Sequence, residues 1–161
     1  MLDILLGFLA LYMVDIAGAT PAQAGVAVAV WTGLGLAGDF LLMPLLERVR
    51  GLDYLRVSVL IELILYPAFL LIPSYWAKLV ILGLMGFFNA GWYAILKGRL
   101  YASMPGQSGA VMALNNVSGL IGQLIPLGVG AFAQWQGLAW GMWVMLLGPV
   151  ALLIGLPKRE T

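Results

Sequence analysis

Neither cysteine nor histidine occurs anywhere in the 161 residues. Their absence excludes disulfides, thiol nucleophiles, histidine-centred triads and metal or haem sites built on His or Cys. Charge is nearly as scarce. Asp, Glu, Lys and Arg together make up 9% of the chain, against about 25% in an ordinary soluble domain. No basic stripe or nucleic-acid module can be assembled from so few cations. No serine stands in a nucleophile-elbow context, and Lys78 and Lys97 fall at the edges of apolar segments. The chemistry for an enzyme site, a resident metal or a cofactor is therefore missing. What is abundant is apolar surface: 63% of residues are hydrophobic and the mean hydropathy is +1.02.

The apolar residues fall into six stretches, about 2–17, 22–46, 54–73, 76–97, 108–133 and 137–157. A spanning helix needs about 20 predominantly apolar residues. This pattern predicts an all-α integral membrane protein, one domain of six transmembrane helices. Alternating the gaps between two sides of a membrane places Arg48, Arg50, Arg56, Lys97, Arg99, Lys158 and Arg159 on one side and only Lys78 on the other. Basic residues mark the cytoplasmic side, so both termini are expected in the cytoplasm, with the bacterial inner membrane as the setting. The first stretch is short for a crossing, and Asp3 stands where a signal peptide carries positive charge. It reads instead as the end of a helix that is longer in a fuller protein.

Small residues recur four apart in three segments: Gly25, Ala29, Gly33 and Ala37; Gly86, Ala90, Ala94 and Gly98; Ser118, Gly122, Pro126 and Gly130. Residues at that spacing share a helix face, and a small face lets helices approach closely in lipid. The first, second, fourth and fifth segments are expected inside the bundle, and the third and sixth at its periphery. Pro67, Pro126 and Pro149 lie within segments and can kink them. The match of Gly33, Gly35 and Gly38 to a phosphate-binding glycine pattern fails, because that reading needs a preceding strand.

Four segments carry polar side chains at similar depth: Asp39, Glu62, Asn89, and the pair Asn115 and Asn116. At about 1.5 Å rise per residue they lie roughly 10–12 Å inside the cytoplasmic boundary. Acids in a membrane are costly and face a bundle interior or a wet cavity. One reading makes this layer a solute contact or a proton carrier; the other makes it hydrogen-bonding glue between helices. Asp39 is expected to lock onto Arg48 and Arg50, with Glu47 as the alternative acid. Glu62 shares a face with Ser58 and Tyr66 and is expected to hydrogen-bond a neighbouring helix. Toward the other side, Tyr12, Asp15, Trp31 and Gln123 are candidates for an outer vestibule. Trp92 and Tyr93 offer flat walls beside Asn89, whereas Trp76, Trp135 and Trp140 read as interfacial anchors.

Several stretches carry a resemblance. Residues 88–97 read Phe-Asn-Ala-Gly-Trp-Tyr-Ala-Ile-Leu-Lys and 104–114 read Met-Pro-Gly-Gln-Ser-Gly-Ala-Val-Met-Ala-Leu, followed by Gly119, Gly122, Pro126, Gly130 and Gly137. Together with the closing Gly-Leu-Pro-Lys-Arg at 155–159, they resemble the C-terminal half of a major facilitator superfamily transporter. Gly38-Asp39 and the run from Glu47 to Gly51 are loosely similar to that family's cytoplasmic loop motif. The resemblance implies one six-helix half of a twelve-helix secondary transporter. It also implies a second, N-terminal half as partner and a small solute moved by alternating access near the midplane; the alternative is an autonomous or self-assembling six-helix membrane protein with a structural or partner-binding role.

Overall fold

The computed structural model of the chain describes residues 2–156. Helices account for nearly all of it, and no strand occurs among the described residues. In chain order they are α1 (Leu2–Asp15), α2 (Pro21–Leu46), α3 (Gly51–Leu71), α4 (Tyr75–Asn89), α5 (Trp92–Ser103), α6 (Ser108–Gln136), α7 (Leu138–Val144) and α8 (Leu147–Gly155). Five segments are long and apolar enough to cross a membrane: Pro21–Leu46, Gly51–Leu71, Tyr75–Ser103, Gly109–Gln136 and Leu138–Gly155. Leu5–Asp15 is apolar but shorter. The arrangement is compatible with a membrane helical bundle. Lys158, Arg159 and the end of the last apolar stretch lie outside the described residues.

Local sequence explains where the helices start and stop. Thr20 and Gln23 form a reciprocal cap at the head of α2: the Gln23 amide donates to Thr20 Oγ1 at 3.2 Å and the Thr20 amide donates to Gln23 Oε1 at 2.9 Å. Pro21 occupies the first helical position, where its missing N–H costs nothing. The expected kink at Pro149 is a break. Its ring opposes the carbonyl four residues back, Met145, and helix is lost at Met145–Leu146. The Leu146 amide turns to the Trp143 carbonyl at 3.1 Å, and the Met142 carbonyl accepts from the Tyr66 hydroxyl at 2.8 Å. At Pro67 and Pro126 the helix runs through.

α2 and α4 form the tightest pair, but on a different face of α2 from the expected ridge. An added Cβ at Gly25 or Gly33 would meet nothing within 4 Å, whereas at Gly38 it would lie 2.7 Å from both Ala90 Cβ and Phe87 O. Ala24, Ala27, Trp31, Gly38 and Leu42 are the buried positions of α2. They recur at steps of three, four and seven residues and follow one helical stripe. Counting small residues alone picks the wrong stripe, because Trp31 and Leu42 belong to the packed one. Two of the glycines that mimic a phosphate motif, Gly35 and Gly38, are close-approach points in this contact.

The expected split between inner and peripheral helices also changes. The α4–α5 segment is the centre, with 56% of its most apolar window buried, and α3 follows at 33%. α6 is nearly all exposed, at 6%. α3 packs its polar stripe inward: Ser58, Glu62 and Tyr66 are all buried between α4 and the C-terminal helices. A Leu-rich sequence hides this, since apolar residues on the other face of α3 are what lipid requires.

Lys78, the single cation on its side of the charge count, is 2% exposed. Its ammonium donates to the Phe69 carbonyl and to Tyr12 Oη at 3.2 Å, with the Tyr12 and Phe69 rings at 5.0 and 4.7 Å. Tyr12 in turn donates to the Leu70 carbonyl at 3.2 Å. Both groups serve the open carbonyl end of α3, where a helix dipole favours positive charge. Lys78→Met keeps the length of the side chain and removes every donor. It should lower stability by about 1–3 kcal/mol, measured by denaturant unfolding in detergent.

Candidate functional site

The sequence that most affects the site is Ala90-Gly91. Here the fourth apolar stretch stops being helical: Ala90 leaves helical geometry and Gly91 takes φ +74, a left-handed conformation that favours glycine. A break inside an apolar segment strands backbone donors and acceptors, and lipid cannot satisfy them. Side chains from two neighbouring helices do so. Asp39 of α2 accepts the Gly91 amide on Oδ1 at 2.8 Å. The Tyr54 hydroxyl of α3 donates to the Phe88 and Ala90 carbonyls, at 3.2 and 3.3 Å. The Trp92 indole donates to Ser58 Oγ at 2.8 Å and to the Phe88 carbonyl at 3.0 Å.

Asp39 is therefore engaged with the break and not with Arg48 or Arg50. Its carboxylate lies at the N-terminus of α5, where the helix dipole adds to the hydrogen bond. Glu62 is 1% exposed and lies beside the side chain of Asn89, the last residue of α4. Among the described residues, Glu62 Oε2 and Asn89 Oδ1 are buried side-chain oxygens without a hydrogen-bond partner.

Beside the break lies an open cavity of about 360 Å³, lined among others by Trp31, Thr32, Asp39, Asn89, Trp92 and Tyr93. This volume falls within the range of small-molecule sites. Of the polar layer expected across four segments, the structure joins three: Asp39 and Asn89 in the cavity wall, and Glu62 behind Asn89. Asn115 and Asn116 sit on α6 and do not reach the cavity. The expected outer vestibule does not form. Tyr12 is buried on Lys78 and Leu70, Asp15 and Gln123 are exposed elsewhere, and Trp31 belongs to the core with one side on the cavity. Glu47, Arg48 and Arg50 lie in the exposed turn between α2 and α3. Trp76, Trp135 and Trp140 are all well exposed, as anchors at a membrane surface need to be.

Tyr54 and Gly91 were the site residues that reading the sequence missed. Tyr54, Ser58, Glu62 and Tyr66 follow one another at four-residue spacing, so the stripe on α3 was visible one turn further than Ser58. The break carried a weaker signal, an Asn-Ala-Gly triplet inside a segment otherwise suited to a helix.

Fold and site define an all-helical bundle whose helices are long and apolar enough for a membrane, with an interrupted segment beside a mainly apolar cavity that carries a few polar side chains. No family model, curated protein or solved structure matches the chain.

Proposed function

We propose that the chain is a secondary transporter of a small solute, working by alternating access as the C-terminal six-helix half of a major facilitator-type protein. The observation that carries this reading is the interrupted α4–α5 segment, with its freed backbone groups satisfied by Asp39, Tyr54 and Trp92 beside a cavity of solute size. Irregular backbone at membrane depth is tolerated where it lines a cavity, and discontinuous helices are how many transporters build solute sites. In this reading six helices cross the bacterial inner membrane and both termini are cytoplasmic. The solute occupies the cavity, and Glu62 carries a coupling proton that Asn89 links to it. The partner is an N-terminal half. It covers α6, whose outward Asn116, Ser118 and Gln123 are costly to leave in lipid.

Everted membrane vesicles of the native host, with and without the gene, provide the test. They are loaded with a pH-sensitive dye and exposed to a panel of amines, sugars, amino acids and carboxylates. Vesicles with the gene should show a solute-evoked internal pH change that Glu62→Gln abolishes. If no member of the panel separates the two kinds of vesicle, the transport reading is lost. The chain has no cysteine of its own, so single cysteines at Arg50 and Gly98 report topology cleanly. Both should label from the cytoplasmic face.

A further inference from the structure

The cavity beside the break has a definite chemical polarity. Its wall includes one formally charged side chain, the carboxylate of Asp39, and no Lys or Arg. Asp39 is exposed, and the structure gives its carboxylate a single hydrogen bond, from Gly91 to Oδ1. Asn89, also in the wall, is 5% exposed, and its side-chain oxygen lacks any donor. Behind it Glu62 Oε2 lacks one as well. Two buried oxygens here, Asn89 Oδ1 and Glu62 Oε2, are thus acceptors in want of a donor. The walls are aromatic: Trp92 is held by its indole N–H on Ser58, and the exposed Tyr93 ring already receives a cation, Lys97 Nζ at 5.0 Å from its centroid. An anionic solute would meet like charge at Asp39. A neutral one would leave the carboxylate uncompensated.

We infer that the solute taken by this cavity is a small organic cation, a primary or secondary ammonium on a flat apolar body. Its charge sits at Asp39, an N–H completes Asn89 Oδ1 after a small turn of that amide, and its apolar part lies on Trp92 and Tyr93. Ion pairing then holds the charged end and aromatic contact the apolar end of one molecule. The assignment rests on the cavity being the solute site of the proposed transporter, and it names the class of that solute.

Three molecules with one aromatic body and different charge separate the alternatives: 2-phenylethylammonium, 2-phenylethanol and phenylacetate. Equilibrium binding of radiolabelled 2-phenylethylammonium to the purified full chain in detergent should saturate. The alcohol should compete about tenfold more weakly, and phenylacetate should not compete. Asp39→Asn keeps an acceptor for the Gly91 amide and so keeps the break. It should weaken the ammonium about tenfold and leave the alcohol unchanged, a charge-selective loss that a purely structural role would not produce. Equal competition by phenylacetate, full ammonium binding in Asp39→Asn, or no saturable binding of the ammonium would each overturn the assignment. Binding as expected without solute-evoked flux in vesicles would keep the cation site and remove the transporter. Flux evoked by carboxylates without ammonium binding would do the reverse.

Discussion

Gly86→Val should separate α2 from α4 and destabilise the protein by about 3 kcal/mol, the upper end of what overpacking costs. A Cβ at position 86 would run into the Trp31 carbonyl oxygen and come within 3.3 Å of the Gly35 amide nitrogen. Those are backbone atoms, which yield only if the whole helix moves. Helices in lipid gain little from hydrophobic burial against each other, so contact distance governs their association. Gly33→Val is the matched control, since nothing lies within 4 Å of a Cβ there. It introduces the same side chain into the same helix pair and should cost well under half as much. Denaturant unfolding in detergent, followed by tryptophan fluorescence, reports directly because Trp31 sits at the contact. Equal midpoints for the two variants would mean that α2 and α4 do not meet at Gly35 and Gly86.

The gross architecture was legible because lipid imposes a simple rule: a long apolar stretch between polar turns. Each described helical segment starts and ends within a few residues of its expected span, except the fourth, which continues as α5 to Ser103, and the last, which breaks near Pro149. What lay beyond the sequence was rotation. Whether Gly33 or Gly35 faces a neighbour depends on about 100° of helix phase per residue. An apolar helix in lipid carries little moment to set that phase. The same difficulty put α3 at the periphery although its buried stripe holds Ser58, Glu62 and Tyr66. Of the side chains that counting from the segment ends puts at one level, three helices bring Asp39, Glu62 and Asn89 together, whereas Asn115 and Asn116 stay apart on α6. The lock between Asp39 and the basic turn gave way to the Gly91 amide for a reason of distance along the helix. Asp39 lies two turns from the end of α2, while the break in the neighbouring segment lies beside it.

Glu62 and Asn89 should give the largest coupling of any pair in the protein. Each is buried, and the two side chains are neighbours across the α3–α4 contact. Glu62→Leu alone leaves the buried Asn89 amide without its polar neighbour, and Asn89→Leu alone leaves a buried acid without its own. Removing one partner of a buried polar pair costs about 1–3 kcal/mol, and about 3–5 kcal/mol when a charge is stranded, so Asn89→Leu should be the worse of the two. The double replacement removes both groups and should recover most of the loss, since apolar pairs of similar volume are nearly neutral substitutes. A double-mutant cycle by unfolding in detergent measures the coupling. The same four proteins, tested in the vesicle assay, separate glue from mechanism. A double variant that regains stability but evokes no proton flux would show that the membrane retains this acid for its chemistry. Losses that simply add would show that the two side chains do not act together, and the link from Glu62 to the cavity would fail with them.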